Sequence, residues 1–206
     1  HGKLIKQRNK ILKYFNKSTK VDMDSILIYD DQIIKLSKPI HECRKKFINE
    51  FMPIVIDKYN KISGKNEKVS LSYKSDLNDN GIADLLKNSF QKDMILQFTS
   101  CGIHKDDLIF QISNSSIKRF GSQGQQKSFL ISLRFAEFEF LKNTNYISPI
   151  LLMDDIFDKL DIERVKNIVD LVNSSEFGQL FISDTDKIRI EKVLSSLKNS
   201  SKIFEI

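Results

Sequence analysis

Two short stretches carry residues whose types and spacing suit phosphate and metal chemistry. The first, Gly121-Ser122-Gln123-Gly124-Gln125-Gln126, is a glycine-bearing turn ahead of a long apolar helix over 128–141. Backbone N–H groups at a helix N-terminus, with a serine hydroxyl beside them, form a site for phosphate. The second, Ile150-Leu151-Leu152-Met153-Asp154-Asp155, is an aliphatic run that ends on two adjacent carboxylates. A buried hydrophobic strand delivering an Asp pair at its C-terminal end suits Mg²⁺ bound to phosphate oxygens. Taken singly, each stretch has a plainer reading. Ser-Gln-Gly-Gln fits an ordinary N-cap with a loop glycine, and an aliphatic run closing on Asp-Asp fits a strand meeting a solvated turn. The order is what argues for chemistry: glycine turn, helix, strand, carboxylate pair, then Leu160-Asp161.

The rest of the chain must hold these stretches in place, and its patterning supplies both helices and strands. Leu4, Ile11, Leu12 and Phe15 share helical spacing, with lysines mostly on the other side. From Asp24 to about Ser63 the period stays helical through Ile26, Ile33, Ile34, Ile40, Phe47, Ile48, Phe51 and Val55. Pro39 and Pro53 mark a bend or a fresh helix start in that span, and Ser63-Gly64 closes it. Residues 69–73 alternate as a strand and 83–97 read as a helix. Residues 108–112 and 117–120 read as a hairpin over Asn114-Ser115. The expected architecture is α/β, with a helical, lid- or arm-like subdomain over 1–66 and the motif-bearing part over 67–206.

With 206 residues, 40% of them hydrophobic, the chain has material for one domain or two small ones. Its net charge of +6 is uneven. Residues 1–70 hold sixteen basic and eight acidic residues, so +8, which leaves −2 for the remainder. Lys3, Lys6, Arg8, Lys10, Lys13, Lys17 and Lys20 precede the first acid, a cationic stripe able to neutralise phosphates of a DNA backbone or simply to solvate a helix face. Cys43 and Cys101 form neither a disulfide framework nor a zinc site, which favours a reducing compartment. There is no apolar run long enough for a membrane span and no signal-peptide pattern, so a cytoplasmic protein without membrane contact is expected. His104, Asp106 and Asp107 are metal-ligand or acid–base types, but a lone His beside two Asp in a loop is more often a hydrogen-bonded structural turn.

The glycine turn, strand and carboxylate pair together resemble an ABC-type ATPase head, a branch of the P-loop NTPases. Ser122-Gln123-Gly124-Gln125 looks like the signature motif and Leu160-Asp161 like the D-loop. Further stretches narrow the likeness: Leu-Ile-Lys-Gln-Arg-Asn at 4–9, Leu-Ser-Tyr-Lys-Ser at 71–75, Gly-Ile-His-Lys-Asp-Asp-Leu at 102–108 and Gly-Ser-Gln-Gly-Gln-Gln-Lys at 121–127. Over nearly its whole length the chain resembles the C-terminal portion of the RecF family of recombination mediators. It departs from the family at Gly-Ile-His-Lys, usually Gly-Pro-His-Arg, and at the Phe157-Asp158-Lys159 approach to the D-loop; Ser183-Asp184-Thr185 stands where transporters carry a His that RecF-like heads often lack too.

The resemblance implies a composite site shared by two heads. Ser122, Gly124 and Gln125 would hold the γ-phosphate of ATP bound to the partner head. Asp154 would take the Walker B role on Mg²⁺, Asp155 the catalytic role usually filled by Glu, and Asp161 would couple the two sites. The implied partners are DNA, a second copy in an ATP-dependent homodimer, and the mediator RecR. No Gly-x-x-x-x-Gly-Lys-Ser/Thr occurs, and Gly64-Lys65 lacks its flanking residues, so the chain reads as a fragment without Walker A and inactive alone. His1-Gly2 is either native or left from cloning. Two alternatives stand beside this reading: a non-catalytic DNA- or protein-binding module, and an SMC-type head with a coiled-coil arm, against which the short, non-heptad helices count.

Overall fold

The computed structural model describes residues 1–15, 23–64, 67–145, 148–174, 177–195 and 201–205. Along the chain run α1 (Gly2–Phe15), α2 (Met23–Ser63), β1 (Val69–Lys74), α3 (Ile82–Leu96), β2 (Asp107–Ile112), β3 (Ser115–Ser116) and α4 (Ile117–Phe120). They are followed by α5 (Gln123–Asn145), β4 (Ile150–Asp154), α6 (Ile162–Asn173), β5 (Gln179–Ser183) and α7 (Lys187–Ser195). These elements form two compact units, His1–Asn49 with Ser72–Ile109, and Glu50–Leu71 with Phe110–Ile206. The division falls elsewhere than residues 66–67, because packing partners and not chain order define the units. Ile33 of α2 packs with Ile82 and Leu86, whereas Val55 and Tyr59 of the same helix pack with Ile117 and Phe129. Lys17, Lys20 and Lys65 lie outside the described residues.

The first unit is mostly helical. From α1, Ile5 and Leu12 point into its core, where Ile5 joins Ile33, Ile82, Leu86 and Cys101, and Leu12 joins Ile26 beside Phe90 and Met94. One helix, α2, runs unbroken for 41 residues through both prolines. Pro39 and Pro53 sit at exposed positions, so the carbonyls that lose an N–H partner there can be met by water.

In the second unit α5 explains its own odd sequence, apolar on more than one face. Phe129, Leu133 and Ala136 pack against Val55, Tyr59 and Ile117, while Ile131, Phe135 and Phe138 pack with Leu151, Met153 and Ile168. The helix is wedged between two cores. Strands β4 and β5 pair in parallel, from Ile150↔Gln179 to Asp154↔Ser183, with α6 as the crossover. The aliphatic run of β4 is not buried throughout, as the sequence had suggested. Leu151 and Met153 enter the core, but Ile150 and Leu152 face outward, Leu152 with 72% of its surface exposed. A strand sends successive side chains to opposite faces, and only one face of this two-stranded sheet meets the core.

The expected hairpin is also shorter. β3 has two residues, paired as Gln111↔Ser116 and Ile112↔Ser115, and 117–120 form a helical turn instead of a strand. Ile117 is drawn into the cluster around Tyr59 and Phe129, and its carbonyl accepts the Gly121 N–H at 2.9 Å. A Cβ at position 121 would lie 2.7 Å from that carbonyl oxygen, so the turn into α5 closes only around glycine.

Candidate functional site

Ser122 caps α5, and the cap is reciprocal. The Ser122 N–H donates to Gln125 Oε1 at 2.9 Å, and the Gln125 N–H donates to Ser122 Oγ at 3.2 Å. This capping box satisfies two backbone donors at once. It also fixes an exposed serine hydroxyl at the positive end of a 23-residue helix, with its own O–H left to donate elsewhere. The N-cap and phosphate readings of this turn are compatible. Gly124 is the second residue of the helix, where a Cβ would sit 3.3 Å from the Lys159 carbonyl oxygen. The loop after β4 therefore approaches the signature turn at backbone contact.

The β4 end is built with equal care. Asp155 has a left-handed backbone, φ 48°, uncommon for a residue with a side chain. It is held from two sides: its N–H donates to the Ser183 carbonyl at 3.0 Å, and its carbonyl accepts Lys127 Nζ at 2.7 Å. Asp154 is exposed and accepts a hydrogen bond from the Ser183 hydroxyl. Exposed carboxylate and hydroxyl oxygens of this kind are hard donors that fit Mg²⁺. Asp161 caps α6, accepting the Arg164 N–H at 2.8 Å and pairing with Arg164 Nε at 3.1 Å.

A group with no sequence signal joins these parts. The Glu67 carboxylate accepts hydrogen bonds from the Tyr59 hydroxyl, from Gln125 Nε2 at 2.9 Å and from Arg164 Nη2 at 2.9 Å. Arg164 Nη1 also donates to Ser128 Oγ at 2.7 Å. Burial opposes the charged form of Glu67, but the hydrogen bonds from Tyr59 and Gln125 and the Arg164 charge outweigh it, holding its carboxyl below the ordinary range. Burial first, and the Glu67 carboxylate second, push the Tyr59 phenol well up.

Ser122, Gly124, Gln125, Asp154, Asp155 and Asp161 thus all belong to the second unit. The basic candidates lie in the first. Lys3, Lys6, Lys10 and Lys13 are exposed along one stripe of α1. Arg8 departs from the expectation: it is 0% exposed, with Nε 2.6 Å from Asp30 and Nη1 2.7 Å from Asp93 and 2.9 Å from Thr99. An enclosed guanidinium bound to two carboxylates offers nothing to DNA, so Arg8 leaves the stripe. The 99–106 segment is a structural turn, and Asp107 opens β2. His104 Nε2 bonds the Thr99 carbonyl at 3.0 Å, and Asp106 is taken by Arg44 at 2.7 Å and by the Tyr73 hydroxyl. Among the described residues no His, Cys, Asp and Glu side chains cluster as a metal site. Cys43 and Cys101 are free thiols, and no described helix is long and apolar enough to cross a membrane.

A βαβ unit whose first strand ends in an Asp pair stands beside a glycine turn that caps a long helix, the arrangement expected of the C-terminal lobe of an ABC-type ATPase head. Two solved structures of the recombination mediator protein RecF in the RecFOR pathway, described as RecF-ATP and RecF-ATPrS, share this fold. Each gives a TM-score of 0.74 over 90% of the chain, at 24% and 23% identity, and the chain covers 51% and 52% of them. The chain is 50% identical over all 206 residues to the DNA replication and repair protein RecF of Flavobacterium johnsoniae, and 40% identical to that of Phocaeicola vulgatus. These RecF proteins match the chain over its whole length, and it spans about half the length of the curated relatives, 57% and 55% of these two. No family model matches the chain.

Proposed function

We propose that this chain supplies the partner-facing half of an ATP-dependent, dimerising DNA clamp that acts in recombinational repair. The observation that carries the reading is the convergence of the signature turn and the Asp loop within one unit, through Lys127 on the Asp155 carbonyl and the Gly124–Lys159 approach. The Ser122 hydroxyl, the Gly124 backbone and Gln125 receive the γ-phosphate of ATP bound to the opposing head. Asp154, steadied by Ser183, is the residue that would hold Mg²⁺, which supplies charge neutralisation at the phosphates. Asp155 orients or deprotonates the attacking water, and its clamped backbone sets where that carboxylate points. Catalysis of this kind is mostly positioning and charge stabilisation. Lys3, Lys6, Lys10 and Lys13 contact DNA phosphates, the dimer acts as a switch, and a RecR-type mediator is the protein partner, in the cytoplasm.

The test uses the protein in which residues 1–206 are joined to a P-loop half. Asp154→Asn should weaken both ATP-dependent dimerisation and hydrolysis. Asp155→Asn should dimerise normally while turnover falls about 10²–10⁴-fold. Ser122→Arg should bind nucleotide as a monomer yet fail to dimerise. Size-exclusion chromatography with ATP and a phosphate-release assay read all three. If Asp155→Asn dimerises no better than Ser122→Arg, the assigned roles are wrong.

A further inference from the structure

The Glu67 carboxylate is the single acceptor on which three elements converge. Tyr59 reaches it from α2, Gln125 from the first turn of α5, and Arg164 from α6. Each of the last two contacts continues outward. The Gln125 amide points its nitrogen at Glu67 and its oxygen at the Ser122 N–H, so orienting one end orients the other. The Arg164 guanidinium spreads over Glu67, Ser128 Oγ and the Asp161 carboxylate, a planar fork spent on three acceptors. One continuous path of hydrogen bonds, all of 2.9–3.1 Å, therefore runs from the Ser122 N–H through Gln125, Glu67 and Arg164 to Asp161. The backbone approach of Gly124 to Lys159, two residues before Asp161, places the same two segments side by side independently.

We propose that Glu67 and Arg164 are positioning residues: a charge clip that locks the signature turn to the Asp161 loop, so that both reach the opposing nucleotide as one preformed surface. This rests on the composite-site reading above. Neither residue touches the nucleotide. Without the clip each segment keeps its own cap, Ser122–Gln125 or Asp161–Arg164 N–H, but the two no longer share an orientation. The cost then falls on assembly of the dimer, because ordering lost before binding has to be restored during it.

The experiment uses the joined, full-length protein with Glu67→Gln, Arg164→Ala and Arg164→Lys, beside Ser122→Arg as a control. Glu67→Gln keeps the shape and one acceptor but drops the charge. Arg164→Lys keeps the charge but cannot bridge three acceptors. The ATP concentration for half-maximal dimerisation should rise about tenfold in Glu67→Gln and further in Arg164→Ala, with partial rescue in Arg164→Lys. Nucleotide binding by the monomer should stay at its original affinity. In a cycle with Gln125→Ala, the effect of Glu67→Gln should shrink, because that substitution removes the side chain through which the path reaches the Ser122 N–H. If Ser122→Arg still dimerises, the composite-site reading fails and takes the clip with it. If Ser122→Arg blocks dimerisation while Glu67→Gln and Arg164→Ala dimerise at the wild-type ATP concentration, the clip alone is wrong. A Glu67→Gln protein that loses its fold in a thermal melt would make the pair a stability element and overturn the proposal.

Discussion

Two arginines divide the molecule between them. Arg8 in the first unit and Arg164 in the second each bind two carboxylates and a hydroxyl. Their chemistry is the same and their surroundings are not. Arg8 is sealed, and its partner Asp93 is sealed with it. Arg164 is nearly buried, but the Asp161 carboxylate it holds is 62% exposed and the other branch ends at an exposed Ser122. A network closed on itself can only hold a fold together. One whose ends reach the surface can also set the geometry of groups that meet a second molecule.

The widest contrast should come from truncating the sealed arginine. Arg8→Ala leaves Asp93 buried without its countercharge, a loss of about 3–5 kcal/mol that should unfold the first unit in thermal melts. A melt close to wild type would mean that Arg8 is no more structural than Arg164. Next in size is Gly121→Ala, in the second unit. The added methyl meets the Ile117 carbonyl, so about 1–3 kcal/mol of destabilisation is expected, read by denaturant titration. An unchanged midpoint would show that the turn into α5 can relax.

Acid should separate the two units more gently. Burial is the main cause that lowers the His104 pKa below its ordinary 6.5, only partly offset by the Thr99 carbonyl. Its folded-state pKa is depressed, so His104 contributes stability above pH 6.5, and that contribution is lost as pH falls through the folded value. Glu67 follows the same sign at lower pH, its contribution present above 4.5 and lost below it as the carboxylate protonates. Acid titration followed by hydrogen exchange should therefore loosen the 99–106 turn before the Glu67 node. His104→Gln should erase the first step, and simultaneous loosening would contradict these assignments.

How much of this was legible beforehand differs element by element. Helices α1, α2, α3 and α5 and strand β1 were readable because apolar spacing has only two common periods, and both run long enough here to show. Arg8 was readable too, though grouped with the wrong residues. It sits two residues after Lys6, on the opposite side of a helix, and shares the face of Ile5 and Leu12. The outward face of β4 was not readable, since an unbroken aliphatic run looks the same whether one face or two are covered. Glu67 was beyond reach. Its partners Gln125 and Arg164 lie 58 and 97 positions away, and no local pattern marks a carboxylate for such a meeting. Ser122-x-x-Gln125 and Asp161-x-x-Arg164 were the two fragments of that network with a sequence-local trace.

The alternation along β4 also bears on how this polypeptide behaves in a tube. Ile150, Leu152 and Phe181 stand outward from neighbouring parallel strands, three large oily side chains on a flat ribbon of aliphatic residues. Such a ribbon is adhesive to its own kind. Preparations of the 206-residue chain should grow turbid as protein concentration and salt rise, and clear again with mild detergent, well before any heat-induced transition. Colloidal shelf life, not folding, would then limit what can be measured on this chain alone.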